Sequence, residues 1–247
     1  MSPLIQLVHA SKKFGAAAAL RSTNLAFQRG KTTVLIGPSG CGKSTLLRLI
    51  IGLLEPDGGT IHFDGIPVTA TNLAQLRRRI GYVIQDGGLF PHLTARKNVL
   101  LMATHLKKPA GEMQRRLSEL SALTRFPEAA LDRYPIELSG GQRQRISLMR
   151  ALALSPELLL LDEPLGALDP LVRAALQKDL KEIFARLKQT AILVTHDLAE
   201  AAYLGDEIVL MNEGRVVQIG TLEDLRTRPT SAFVTEFINA QRSLAVL

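Results

Sequence analysis

The chain has 247 residues, of which 46% are hydrophobic, so it is long enough to bury a substantial core as one compound domain. Its formal net charge is +7, but the basic residues are scattered in short groups and only 4% of the residues are aromatic. A nucleic-acid-binding surface usually combines a basic stripe with aromatic residues for base stacking, so we expect no nucleic-acid partner.

Other features of the composition exclude or disfavour further classes. No apolar stretch approaches the ~20 residues that a membrane-spanning helix needs. The single cysteine, Cys41, cannot form an internal disulfide. The first residues, Met1–Leu7, lack the pattern of a secretory signal, so we expect the protein to stay in the cytosol.

Apolar runs of strand length alternate with stretches of helical periodicity, which predicts an α/β domain with a mostly parallel sheet. Short strands near the N-terminus predict an antiparallel β layer beside it. The predicted strands of the main sheet are Thr33–Ile36, Ile80–Ile84, Leu158–Leu161, Ile192–Thr195 and Ile208–Met211. Those of the antiparallel layer are Ile5–Val8, Leu25–Phe27 and Thr60–Phe63.

The middle of the chain has a different pattern. Between residues 91 and 153 the strand signals stop and apolar residues recur at helical spacing, which predicts an inserted helical subdomain. We expect residues 1–90 and 154–247 to form the core with its antiparallel layer. Two short helices, Thr221–Arg226 and Ala232–Asn239, are predicted to close the fold.

A phosphate-loop pattern follows the first core strand and opens a predicted helix, Ser44–Ile51. Its residues are Gly37, Pro38, Ser39, Gly40, Cys41, Gly42, Lys43, Ser44 and Thr45. Glycines let the backbone curl around phosphates and point N–H groups inward. We expect this loop to bind ATP, with Lys43 on the β and γ phosphates and the Ser44 hydroxyl on Mg²⁺. The alternative is a chance match, which the flanking strand and helix disfavour.

Two adjacent carboxylates, Asp162 and Glu163, follow the strand Leu158–Leu161. We expect Asp162 to hold Mg²⁺ through its water shell. Glu163 is expected on the opposite side of the strand, by the two-residue alternation, where it acts as the catalytic carboxylate on the attacking water. A solvated strand end is the commoner explanation of an isolated pair, but the phosphate loop in the same chain favours the functional one.

Two more polar residues follow predicted strands. His196 comes after Ile192–Thr195, where a neutral imidazole can contact the γ-phosphate and position water. Gln85 comes after Ile80–Ile84, and its amide oxygen can complete the Mg²⁺ shell. A structural or merely polar role is the usual one for such residues, so both alternatives stay open.

A second candidate anion receptor lies in the segment Leu138–Arg145. Ser139 is a good helix N-cap, Gly140 and Gly141 expose backbone N–H groups, and the helix predicted over Gln142–Leu152 presents its positive end. An ordinary capped helix fits these residues equally well. It does not explain why a chain with one phosphate loop has a second phosphate-reading surface.

With these residues the chain resembles, over essentially its whole length, the nucleotide-binding subunits of ATP-binding cassette (ABC) transporters. The resemblance implies the ABC ATPase fold, ATP and Mg²⁺ as ligands, and a head-to-tail homodimer. Each signature, Ser139, Gly140, Gly141 and Gln142, closes over ATP on the phosphate loop of the other copy. It also implies that Phe14 stacks on adenine and that Asp169 lies in the D-loop at the dimer interface. Glycine replaces the usual serine at position 166.

The segment Gly81–Thr94 resembles importers of quaternary amine osmoprotectants such as glycine betaine, choline or proline betaine. This implies an ATP-driven motor at the cytoplasmic face of the membrane, with transmembrane permease subunits as partners and, indirectly, a solute-binding protein. Residues near Leu89–Pro91 are expected to receive the membrane subunits. The C-terminal regulatory domains that many such ATPases carry are not expected, because the sequence ends at Leu247. The alternatives are the motor of another ABC importer or exporter, or a soluble ABC ATPase acting on nucleic acid.

Overall fold

The structure is a computed structural model that describes residues 2–85, 87–166 and 168–244. The chain divides into two compact units, one formed by residues 1–77 with 188–247 and the other by residues 78–187. The strands are β1 (Ile5–Phe14), β2 (Ala17–Phe27), β3 (Thr32–Ile36), β4 (Gly58–Phe63), β5 (Ile66–Pro67), β6 (Ile80–Val83), β7 (Leu158–Asp162), β8 (Thr190–Val194), β9 (Glu207–Asn212) and β10 (Arg215–Gly220). The helices are α1 (Lys43–Ile50), α2 (Leu73–Arg77), α3 (Ala95–His105), α4 (Ala110–Leu123), α5 (Gly140–Leu152), α6 (Pro170–Leu187), α7 (Leu198–Leu204), α8 (Leu222–Thr227) and α9 (Ala232–Leu244).

In the first unit, β3 lies between β8 and β9 and is parallel to both. Every residue of β3 and β8 is buried, which explains why these strands have continuous apolar sequences rather than alternating ones. Strand β10 continues antiparallel to β9 through a turn at Glu213 and Gly214. The sequence prediction missed β10.

The predicted antiparallel layer is present in the first unit, in the order β2-β1-β4-β5. Strands β1 and β2 are longer than expected, and β2 includes an alanine-rich stretch that has no strand signal of its own. Pairing with β1 brings that stretch into the sheet, with Ala18 opposite Lys13. The extra length of β1 contains a bulge near His9, whose φ is 49°.

In the second unit, β6 and β7 form a parallel pair, and α3, α4 and α5 lie between them in sequence. Helix α5 packs closely on β6, because a Cβ atom on Gly81 would lie 2.4 Å from the carbonyl oxygen of Ala151. The assignment of residues 91–153 to a separate subdomain stays a prediction. Across the described ranges, no helix combines the length and the apolar character needed to span a bilayer.

Candidate nucleotide-binding site

The loop between β3 and α1 has the glycine-dependent conformation that a phosphate loop requires. Gly37 has a φ of 146° and Gly42 a φ of 107°, in a region that favours glycine. A Cβ atom added to Gly37 would lie 2.1 Å from the carbonyl oxygen of Met211. One added to Gly42 would lie 2.3 Å from the carbonyl oxygen of Ala19. Because Gly42 is also the N-cap of α1, its residue type offers no side-chain acceptor to the first N–H groups of the helix.

The Lys43 ammonium lies inside the curl of this loop. The side chain is 7% exposed, and Nζ donates to the carbonyl oxygens of Gly37, at 2.8 Å, and Pro38, at 3.0 Å. Nζ also lies 3.6 Å from Sγ of Cys41, which is buried. The loop thus holds its one lysine charge among its own backbone groups.

His196 follows β8, the strand that pairs in parallel with β3, so it lies at the same sheet edge as the phosphate loop. Its ring is exposed and its neighbours are firmly held. Thr195 Oγ1 donates to the buried Glu200 carboxylate at 2.6 Å, and the Asp197 carboxylate caps α7 by accepting from Ala199 N and Glu200 N. Sequence reasoning missed these supporting residues.

Asp162 and Glu163 lie at the end of β7, and Asp162 is 6% exposed. The expectation that strand alternation orients Glu163 is wrong, because β7 ends at Asp162 and Glu163 has a φ of 48°. The left-handed conformation costs a glutamate about 1 kcal/mol. Because Glu163 lies beyond the strand, its local backbone and not the pleat sets the direction of its side chain. A turn follows, in which Gly166 N donates to the backbone carbonyl oxygen of Glu163.

Gln85 is exposed in a turn after β6, which pairs in parallel with β7. Gln85 therefore lies near the same sheet edge as the two carboxylates. It is two residues beyond the end of its strand rather than one, because β6 ends at Val83 and not at Ile84. The next described residues are held by α5: the Gly87 oxygen accepts from Ser147 Oγ at 2.6 Å and from Arg150 Nη2 at 2.8 Å. Arg150 Nη1 donates to the Gly88 oxygen, and burial lowers the pKa of its guanidinium.

Asn98 holds the loop that precedes α3, and the sequence reasoning missed it. The side chain is fully buried, and its Nδ2 donates to the oxygens of Phe90, Leu93 and Thr94 at 3.0–3.1 Å. Its Oδ1 accepts from Phe90 N at 2.8 Å. One amide thus replaces the regular secondary structure that this segment lacks.

The signature segment forms the N-terminus of α5, which begins at Gly140 rather than at the predicted Gln142. The predicted cap is confirmed: Ser139 Oγ accepts from Gln142 N at 3.2 Å, and Gln142 Oε1 accepts from Ser139 N at 3.0 Å. The N–H groups of Gly140 and Gly141, as the first of a helix, have no acceptor within it. A Cβ atom on Gly141 would lie 2.7 Å from Val172 Cγ1 of α6.

Asp169 and Phe14, which the family resemblance pointed to, lie at the ends of elements. Asp169 immediately precedes α6, where its Oδ1 accepts from Val172 N at 3.1 Å, so it acts structurally as an N-cap. Phe14 ends β1 and is 50% exposed, with Lys12 Nζ 6.0 Å from its ring centroid. An exposed aromatic face of this kind can stack on a base.

One cavity of the first unit is lined by residues other than those of the predicted site. A cavity of about 820 Å³ in the first unit is lined by Lys13, Arg21 and Arg215, among others, and by none of the predicted site residues. Within the described part of the chain, no group of three or more His, Cys, Asp and Glu side chains could hold a metal ion. The expected Mg²⁺ donors are not a group of that kind, because they include the hydroxyl of Ser44 and the amide of Gln85.

Comparison with known proteins finds a family model and curated relatives that are similar to this chain. A family model described as "ABC transporter" matches residues 20–166. The choline transport ATP-binding protein OpuBA of Bacillus subtilis is 44% identical over 240 residues, which are 97% of this chain and 63% of that protein. The sulfate/thiosulfate import ATP-binding protein CysA of Neisseria meningitidis is 47% identical over 238 residues, or 95% of this chain and 66% of that protein. The chain thus spans less than two thirds of the length of these curated relatives.

A solved structure gives the same result for the fold. It is a dimeric, post-hydrolysis state of an ATP-binding cassette bound to ADP and Pi, and it is 33% identical to this chain. The superposition covers 88% of this chain and 98% of the other, with a TM-score of 0.79. The fold class predicted from the sequence is therefore confirmed.

Proposed function

Because this chain belongs to the ABC transporter family, we propose that it binds Mg-ATP and hydrolyses it as the motor subunit of an ABC importer. The observation that supports the proposal is that one chain has two separate helix starts of the kind that bind anions. One is the glycine-capped start of α1 with Lys43, and the other is the Ser139-capped start of α5. A simple phosphate-loop enzyme needs only the first.

In this proposal the reaction is attack of water on the γ-phosphorus of ATP, with the bond to the β–γ bridging oxygen breaking and ADP leaving. Lys43 stabilises negative charge on the transferring phosphoryl group. Glu163 accepts the proton of the attacking water, and His196 orients that water. The left-handed backbone of Glu163 supports its role, because it lies at no helix end, hairpin turn or bulge, and backbone strain of this kind clusters at functional sites.

The proposed Mg²⁺ donors are the hydroxyl of Ser44, the amide oxygen of Gln85 and the carboxylate of Asp162. All three are hard oxygen donors of the kind that Mg²⁺ prefers, and Asp162 is buried at a strand end. When bound, the ion would neutralise charge on the β and γ phosphates.

We further propose a head-to-tail homodimer in which ATP is held between the phosphate loop of one copy and the signature residues of the other. The signature residues are Ser139, Gly140, Gly141 and Gln142, the D-loop residue Asp169 crosses the same interface, and Phe14 stacks on the adenine. A dimeric cassette among the similar structures supports this arrangement.

The proposed work of the dimer is import of a quaternary amine osmoprotectant, at the cytoplasmic face of the membrane and through transmembrane permease subunits. The segment Gly81–Thr94 and the choline transport relative support this solute class. The sulfate relative has a similar identity, so overall similarity does not choose between the two solutes. Copurification of the membrane complex, followed by ATPase assays with choline, glycine betaine and sulfate, would show which of these solutes stimulates the activity.

The catalytic proposal is tested by Glu163→Gln. A neutral amide cannot accept the water proton, so we expect ATPase activity to fall by about 100-fold or more while ATP binding is kept. The variant should form a dimer in Mg-ATP, measured by light scattering. The exposed Glu236→Gln, on α9, is the control and should leave activity unchanged.

Either of two results would overturn the proposal. One is near-normal ATPase activity of Glu163→Gln. The other is a protein that stays monomeric in saturating Mg-ATP, both alone and with its membrane partner. Salt-sensitive binding to nucleic acid without any membrane partner would favour a soluble ABC ATPase instead.

A further inference from the structure

A buried carboxylate in the second unit contacts two arginines. Asp179 of α6 is 3% exposed, and its Oδ1 accepts from Arg125 Nη1 at 2.6 Å. Its Oδ2 lies 2.6 Å from Arg145 Nη1, as an ion pair without hydrogen-bond alignment. A buried ion pair is not by itself evidence of stability, because removing two charges from water costs about as much as their attraction gains. The useful information is therefore which elements the Asp179 carboxylate connects.

The two arginines come from different elements. Arg145 lies on α5, the helix that begins at the signature, and also donates to the Thr124 oxygen after α4. Arg125 follows α4 and reaches a second acid of α6, Glu182, at 2.7 Å. Asp179 therefore links α6 to α5 and to the end of α4 through a single carboxylate.

Helices α5 and α6 also meet near the signature itself, where Gly141 leaves room for Val172. By itself, that apolar contact does not set the angle between α5 and α6. A second contact about one turn further along α5, the ion pair between Arg145 and Asp179, constrains the direction of the axis of α5 relative to α6. That axis sets where the N–H groups at the start of α5 point.

We propose that Asp179 is a positioning residue that holds the signature helix against α6, so that the start of α5 meets nucleotide bound by the second copy. The inference rests on the proposed function. It assigns a role in dimer closure to a residue that lies outside the phosphate loop, the signature and the D-loop.

The test is Asp179→Asn in the Glu163→Gln chain, with two measurements on the same protein. Binding of a fluorescent ATP analogue to the monomer reports the phosphate loop of the first unit, and we expect it to stay within twofold. The dissociation constant of the Mg-ATP dimer, from analytical ultracentrifugation, should rise by about tenfold or more. Glu182→Gln is the matched control, because it removes an exposed acid of the same helix that contacts the same Arg125, and it should leave both values unchanged.

A purely structural role would give a different result. Loss of analogue binding and dimerisation together, with a lower melting temperature, would overturn the inference, and so would an unchanged dimer. If Asp179→Asn does not fold, Arg145→Gln decides, since Asp179 then keeps Arg125 as a partner; weaker dimerisation supports the inference and an unchanged dimer overturns it. A Glu163→Gln parent that fails to dimerise would instead overturn the proposed function, and this inference with it.

Discussion

Single residues with positive φ mark the points where the backbone leaves regular geometry, and all but one of the described non-glycine cases have a local cause. Four follow helices, where the left-handed conformation ends a helix, two lie in hairpin turns, and His9 lies in the bulge of β1. The helix-end residues are Lys107, Arg125, Ser155 and Lys188, and the hairpin residues are Asp64 and Glu213. Glu163 follows a strand and belongs to none of these classes, which singles it out on geometry alone.

A second residue-scale feature is a carboxylate that folding places unfavourably. Desolvation raises the pKa of Glu207 at the start of β9, and Lys31 only partly opposes it. A raised folded-state pKa means that the charged form is less favourable in the folded chain than in the unfolded chain, so Glu207 lowers stability above its folded pKa. This cost disappears below the ordinary value of 4.5, where both states are protonated.

We therefore predict that Glu207→Gln raises the melting temperature slightly at pH 7, and that the difference shrinks as the pH falls through the raised pKa toward 4.5. Melting curves at four or five pH values would check this. A difference that does not change with pH would mean that the substitution acts through packing instead. Lys31→Gln should have the opposite effect at pH 7, because it removes the charge that favours the ionised form.

At the scale of elements, α5 is the helix on which the contacts of the second unit converge. Its start carries the signature, Arg145 reaches Asp179 of α6, and Ser147 and Arg150 hold the backbone that follows Gln85. A shift of α5 would thus move the signature and the segment that follows Gln85 together. This makes the helix a physical link between a proposed nucleotide contact and the proposed membrane contact near Leu89–Pro91.

The loop before α3 depends on one side chain, and this gives an element-scale prediction. Asn98→Ala removes a fully buried amide that bonds three carbonyl oxygens and one N–H group. The Phe90 and Thr94 oxygens keep backbone bonds from Leu93 N and Asn98 N, but the Leu93 oxygen and the Phe90 N–H lose their bonds to the amide, so we expect a loss of about 2–3 kcal/mol in the free energy of unfolding. Urea denaturation measures it. Asn72→Ala, which removes an amide with two bonds at a half-exposed position, is the control and should cost less than about 1 kcal/mol.

At the scale of the whole molecule, each compact unit carries only part of the predicted site. The first contains the phosphate loop, His196 and Phe14, and the second contains Gln85, the carboxylates at the end of β7, the signature and Asp169. A head-to-tail dimer would use one phosphate loop and one signature from different copies at each site. A chain with a damaged phosphate loop and a chain with a damaged signature should therefore recover ATPase activity when the two chains are mixed.

We predict that Lys43→Ala and Ser139→Phe are each inactive alone, and that an equimolar mixture recovers part of the ATPase activity. In the mixed dimer, one site combines both defects, while the other joins the intact loop of the Ser139→Phe chain to the intact signature of the Lys43→Ala chain. Steady-state phosphate release measures the recovery. A mixture no more active than its components would contradict a shared site, and a chain with both substitutions is the negative control.

The amino-acid sequence alone determined the phosphate loop, the capped signature helix, the α/β class and the family, because each depends on residues that are close together in the chain. Glycine spacing, an N-cap serine and apolar runs express local conformational preferences that need no distant partner. The tertiary structure decided the features that depend on distant residues: the inclusion of the alanine-rich stretch in β2, the left-handed backbone at Glu163, and the partners of Asn98, Arg150 and Asp179. A buried polar side chain takes its role from the group it meets, and that group is brought to it only when the chain folds.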